Sequence, residues 1–153
     1  MKAEDNLKAL GIDIPTPATP VANYVPYVQA GKLVSISGQV PVKDGSLLFE
    51  GKVGDGVSIE DACEAARLCG LNIIAQLKAA CGGDLNRVKQ IVKLGGFVNC
   101  VDGFSGQPQV INAASDLMVD VFGDAGRHSR SAVGTNALPL NATVEIDALV
   151  EIE

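Results

Sequence analysis

At 153 residues, 47% of them hydrophobic, the chain is long enough for one domain with a sizeable core and too apolar to be disordered. A formal net charge of −6 without a basic stripe argues against nucleic acid or an anionic membrane as the main partner, and 4% aromatic residues with no Trp leave little for base stacking. The N-terminus lacks the apolar core of a secretory leader and no apolar run is long enough to span a bilayer, so a cytoplasmic protein is expected.

The predicted elements begin with a short amphipathic helix over 2–10, carrying Leu7 and Leu10 on one side and stopped by Gly11. Pro15, Pro17 and Pro20 then make an extended linker, so residues 1–20 read as an extension ahead of a single domain over 21–153. Tyr24–Ala30 and Leu33–Gln39 are predicted as two strands around a Gly31-Lys32 turn. Lys43-Asp44-Gly45 is a turn, Leu47–Phe49 a short edge strand, and Gly51–Gly56 a flexible loop. Ser58, with Asp61 three residues on, opens a helix that runs to about Cys81 with Ala66, Ile73 and Leu77 on its apolar face, and Gly82-Gly83 stops it. Arg87–Leu94 alternates as a strand that resumes at Phe97 after a bulge at Gly95-Gly96. A loop over 102–108 leads to a second helix, Val110–Phe122. From Ala142 to Ile152 apolar and polar residues alternate without a break, the mark of a half-buried strand. Arg130–Leu138 is its expected hairpin partner, joined through Pro139-Leu140-Asn141. The order β-β-(β)-α-β-α-β-β implies a two-layer α+β fold with both helices on one face of a mixed sheet, and its uncovered face calls for oligomerisation.

The four cysteines (Cys63, Cys69, Cys81, Cys100) have no CxxC spacing and the single His is His128, so no zinc site is expected and the thiols read as small core residues. Neither a phosphate-cradling glycine spacing nor a Ser-His-Asp arrangement is present.

Several segments together resemble the Rid (reactive intermediate deaminase) family, also called the YjgF family. Tyr24 is followed by Ser37-Gly38-Gln39 and Pro41; Val110-Ile111-Asn112-Ala113 opens the second helix; Arg130-Ser131 precedes Leu138-Pro139 and Val144-Glu145-Ile146-Asp147-Ala148. The resemblance spans roughly 21–152, and the terminal signature with its spacing is its most specific part. It implies a chorismate-mutase-like fold assembled as a homotrimer with sites in the clefts between subunits. It further implies hydrolysis of reactive enamines and imines to 2-keto acids and ammonia, without cofactor or metal. The implied partner is a small carboxylate-bearing imine, enamine or keto acid. Ala132 stands where the well-studied deaminases carry a Cys that acts through its backbone, which marks a divergent subgroup.

In that reading Arg130 holds the substrate carboxylate in a bidentate pair and Glu145 activates the attacking water or carries a proton to the leaving ammonia. Tyr24 covers the substrate or donates to it, and Gly38, Asn112 and Ala132 are pocket contacts carried over from the resemblance. The residues alone also allow a plainer reading: Arg130 and Glu145 as a cross-strand ion pair on a solvated face, Tyr24 as packing, and Asn112 near a helix cap. His128, beside Arg127 and Arg130, reads as a base or as a residue of the pocket rim. A non-catalytic carboxylate sensor using the same cleft and an endoribonuclease are the alternative functions.

Overall fold

The computed structural model describes residues 2–19 and 22–153; Pro20 and Val21, where the expected linker meets the expected domain, lie outside the described residues. In chain order the elements are α1 (Ala3–Ala9), β1 (Tyr27–Ala30), β2 (Leu33–Gln39), β3 (Val42–Lys43), β4 (Ser46–Leu47), β5 (Lys52–Val53), β6 (Gly56–Val57), α2 (Ile59–Ala80), β7 (Val88–Asn99), α3 (Gln107–Phe122), β8 (Ser129–Thr135) and β9 (Val144–Ile152). The main sheet has the order β1-β2-β9-β7-β8. Val144, Ile146, Ala148, Val150 and Ile152 of β9 are all buried beneath the helices, as their alternation requires.

The expected terminal hairpin does not form. β8 pairs with β7, in parallel, and β7 separates it from β9. α3 is the crossover between those parallel strands, and a helix is the usual connection for such a pair. Three shorter corrections follow from hydrogen bonding. β1 starts at Tyr27 rather than Tyr24, because Val25 and Pro26 instead give their carbonyls to the Ser37 hydroxyl (2.8 Å) and the Ser37 N–H (2.9 Å). Residues 51–56 are not a free loop: Lys52 donates to Asn99 Oδ1 (2.9 Å) and to the Asn136 carbonyl, and the Val53 side chain is buried. The expected edge strand over Leu47–Phe49 is reduced to β4, which pairs only with β3.

α2 begins as its sequence demands, with the Ser58 hydroxyl accepting from the Asp61 N–H at 3.1 Å, and ends where Gly82 and Gly83 take positive φ and return their N–H groups to the last turn. α3 starts a turn earlier than expected, with Pro108 in its first turn. Val110, Ala114, Leu117 and Val121 are buried against α2 and the sheet. α1 packs on α3, with Leu7 in the core and Asn6 Nδ2 donating to the Val121 carbonyl at 2.8 Å. Cys69, Cys81 and Cys100 are buried free thiols, while Cys63 is partly exposed.

Gly95 and Gly96 do not form the expected bulge. The register of β7 with β9 is continuous through them, and its irregularities lie at Val88/Gln90 and Ile91/Lys93. The glycines are there for close approach: a Cβ on Gly95 would meet Asp147 Oδ1, and one on Gly96 would sit 2.7 Å from Ile111 Cδ1. Gly96→Ala is therefore expected to cost about 1–3 kcal/mol through forced movement of α3. Chemical denaturation should show a lower midpoint at an unchanged slope.

Candidate functional site

The structure divides the expected site residues between the two faces of the sheet. Arg130 pairs in register with the buried Leu94, so its side chain lies on the helix side, at the outer edge of the sheet. Its Nη1 donates to Ser115 Oγ at 3.0 Å and its Nη2 to the Pro108 carbonyl at 3.3 Å. Ala132 follows on the same face and packs against the core. Asn112 is an exposed residue inside α3, one turn from both Pro108 and Ser115 and on the stripe they share, so it flanks Arg130 rather than capping the helix.

Ser115 carries no signal in a single sequence, because a lone Ser in a helix is ordinary. In the fold it joins two residues that the sequence placed near each other. The His128 Nε2 lies 2.9 Å from Ser115 Oγ and Nδ1 lies 2.6 Å from the Gly126 carbonyl. Arg130 can only donate, so the Ser115 hydroxyl proton is available for His128 Nε2, and Nδ1–H serves Gly126. This chain from Gly126 through His128 and Ser115 fixes the guanidinium in place. Arg127, by contrast, points away into an exposed ion pair with Asp124 at 3.5 Å.

Glu145 is on the opposite, open face. It pairs with Phe97 and lies beside Gly38, where a Cβ would be 2.9 Å from Glu145 Cδ. Any side chain at Gly38 would displace the carboxylate, which gives this glycine a steric reason. Tyr24, 54% exposed, and Gly38 line a cavity of about 480 Å³ that Asn72 of α2 also lines. A larger hollow of about 700 Å³ between α1, residues 12–17 and the end of α2 contains none of the expected site residues. Arg130 and Glu145 are thus two strands apart and on opposite faces, and no ion pair joins them among the described residues. That removes the cross-strand pair as an account of either.

Burial raises the Glu145 carboxyl above its ordinary value, and the neighbouring Asp147 charge adds to the rise. Asp147 is raised by burial as well, against the pull of the Gly95 N–H and of Lys93. Among the described residues no three of His, Cys, Asp and Glu converge as metal ligands, and no helix is long and apolar enough to cross a membrane.

The sheet order, the α3 crossover and the terminal signature define a family. The profile described as YjgF/chorismate mutase-like, putative endoribonuclease, matches residues 4–152, and the chain belongs to this family. It is 47% identical over 148 residues to protein TCP17 of Trypanosoma cruzi, covering 96% of this chain and 92% of that one. A crystal structure of an Agrobacterium tumefaciens protein of unknown function is 48% identical, with a TM-score of 0.92 over 99% of this chain and 92% of the other. A 2-iminobutanoate/2-iminopropanoate deaminase of Dermatophagoides farinae is 28% identical over 142 residues, 93% of this chain and 95% of that protein. The expected chorismate-mutase-like α+β fold is therefore the one observed.

The raised carboxyls have a consequence for stability. A carboxyl raised in the fold binds its proton more tightly there than in the unfolded chain, so stability falls as pH rises above the ordinary values of 4.5 and 3.8 and levels off once both groups are ionised in the fold. Asp147→Asn removes one such group and relieves Glu145 of its neighbour's charge. Denaturation midpoints from pH 4 to pH 7 should fall less in the variant than in the wild type. Parallel curves would sink this account.

Proposed function

We propose that the chain is a hydrolytic deaminase of reactive imines and enamines, acting in a cleft between subunits of a homotrimer. The observation that carries the reading is the Arg130 guanidinium, held by Ser115 and Pro108 at an open sheet edge without an acidic partner among the described residues. A cation positioned in this way suits a small carboxylate. The kinship with an iminobutanoate deaminase supplies the chemistry.

In this mechanism Arg130 takes the carboxylate of a 2-imino acid, and Asn112 and the backbone at Ala132 complete its contacts. Water adds to the C=N carbon with Glu145 accepting its proton. That proton passes to the imine nitrogen to give the amino alcohol; the adduct's hydroxyl proton then passes through Glu145 to the amine, the C–N bond breaks, and ammonia leaves as the C=O of the 2-keto acid forms. A carboxyl raised by burial holds a proton more readily than an ordinary one, which suits it to relay both protons. Tyr24 and the Gly38 backbone line the Glu145 side. Because one chain keeps the cation and the carboxylate on opposite faces, a second copy must bring its Arg130 edge to this chain's open face. Val28, Leu33 and Val133 are exposed apolar residues of that face, available to be covered by such a partner. A ribonuclease, the activity in the family's description, would need to attract a polyanion, and the net charge of −6 disfavours it.

Subunit mixing tests both activity and sharing. Arg130→Ala and Glu145→Gln alone should each lower the hydrolysis of 2-iminopropanoate by at least about a hundredfold. Co-assembly of the two variants should restore about a quarter of wild-type activity, since about one interface in four then joins an intact Arg130 to an intact Glu145. Failure of the wild type to accelerate decay of any imine would end the deaminase reading, and recovery confined to the wild type would place both residues in one subunit. Ser115→Ala should raise KM more than it lowers kcat, because its role is to hold Arg130.

A further inference from the structure

The segment between α1 and β1 is fastened at both ends. α1 is pinned to α3 through Asn6, and the Ala18 carbonyl accepts from Gln76 Nε2 at 2.9 Å, Gln76 being 1% exposed. Between these anchors, residues 15–19 line the 480 Å³ cavity together with Tyr24 and Gly38. Asn72 of α2 reaches the cavity from below and is 5% exposed. Both of its amide protons are taken, by the Val40 carbonyl at 3.0 Å and the Val42 carbonyl at 2.9 Å. Those two acceptors fix the orientation of the amide. Asn72 Oδ1 has no donor among the described residues and faces the cavity. No buried side-chain oxygen is left unpaired among the described residues, so this oxygen is open to the solvent of the cavity that Asn72 lines, and a donor that enters can take the place of water on it.

Pro17, Val40, Val42 and Leu140 make the rest of the lining largely apolar, and Lys43 and Asp44 place opposite charges together on the neighbouring turn. Nothing here favours a net charge on an occupant. Gly38 connects the cavity to the proposed chemistry, since its backbone borders both the cavity and the Glu145 carboxylate.

We propose that this cavity receives the side chain of the substrate, and that Asn72 Oδ1 selects side chains ending in an uncharged hydrogen-bond donor, a hydroxyl or a carboxamide. The N-terminal extension is then a specificity element, because residues 15–19 are part of the cavity's lining. This inference rests on the deaminase reading and names its substrate class.

Imino acids bearing the side chains of homoserine and norvaline match in size and differ only in a terminal hydroxyl or methyl. With both generated in situ by an amino-acid oxidase, the wild type should favour the hydroxyl by about tenfold in kcat/KM, the worth of one buried hydrogen bond. Thr16→Phe and Ala18→Phe change exposed residues of the strap and should fold as the wild type does. Each should lower kcat/KM for this pair relative to 2-iminopropanoate by about tenfold. Equal rates on the two side chains, or equal losses on all three substrates, would overturn the proposal. If the wild type hydrolyses no imine, the deaminase reading falls, and the cavity is tested by calorimetric titration with 4-hydroxy-2-oxobutanoate and 2-oxopentanoate. A hydroxyl preference removed by Thr16→Phe would uphold the cavity's selectivity, and its absence would refute it.

Discussion

β9 is hydrogen-bonded along both edges, to β2 on one side and to β7 on the other, and its inner side chains are covered by α2, while α3 lies over β7 and β8. Its buried positions therefore fix both the register of the sheet and the face on which the helices lie, because a slip of one residue would turn its whole apolar row to the wrong side. β7 in turn presents Gly95 and Gly96, which let Asp147 and Ile111 come close. The distance between sheet and helix, on which the Arg130 side of the site depends, follows from that narrow approach.

The site is consequently split by the sheet itself. Arg130 is held from the helix layer through Ser115, Pro108 and His128, whereas Glu145 sits on the open face beside Phe97, Gly38 and Asp147. A cation and a carboxylate kept apart in this way do not neutralise each other. Each keeps its charge-bearing group available for a ligand that reaches both, at the cost of making the proposed chemistry depend on assembly.

Which parts of this were legible in the sequence follows from the range of the interactions involved. α2, β2 and the buried face of β9 were readable because caps, turns and periodicity act within a few residues. The terminal hairpin was misread for the same reason: two strands adjacent in sequence usually pair, and only the long-range α3 crossover shows that β7 takes the place between them. Gly95-Gly96 looked like a bulge because a local pattern cannot distinguish a kink from a close contact with residues 111 and 147. Arg130, Glu145, Gly38 and Asn112 were singled out through a family signature, and their surroundings were not. Ser115 and Asn72 are ordinary helix residues until the fold brings His128 to one and the strap to the other.

The hydrogen bond from Asn6 to the Val121 carbonyl spans 115 residues of chain. During synthesis the first helix leaves the ribosome long before its acceptor exists, and closing so large a loop carries an entropic cost that only the finished α3 can offset. Residues 15–19 are held from their other end by the Ala18–Gln76 bond, which spans 58 residues, so one of their two fastenings waits for α3 and the other does not. A chain that stops before α3 would keep the Gln76 fastening of this segment and lose the one through Asn6, so the segment would be tied at a single end.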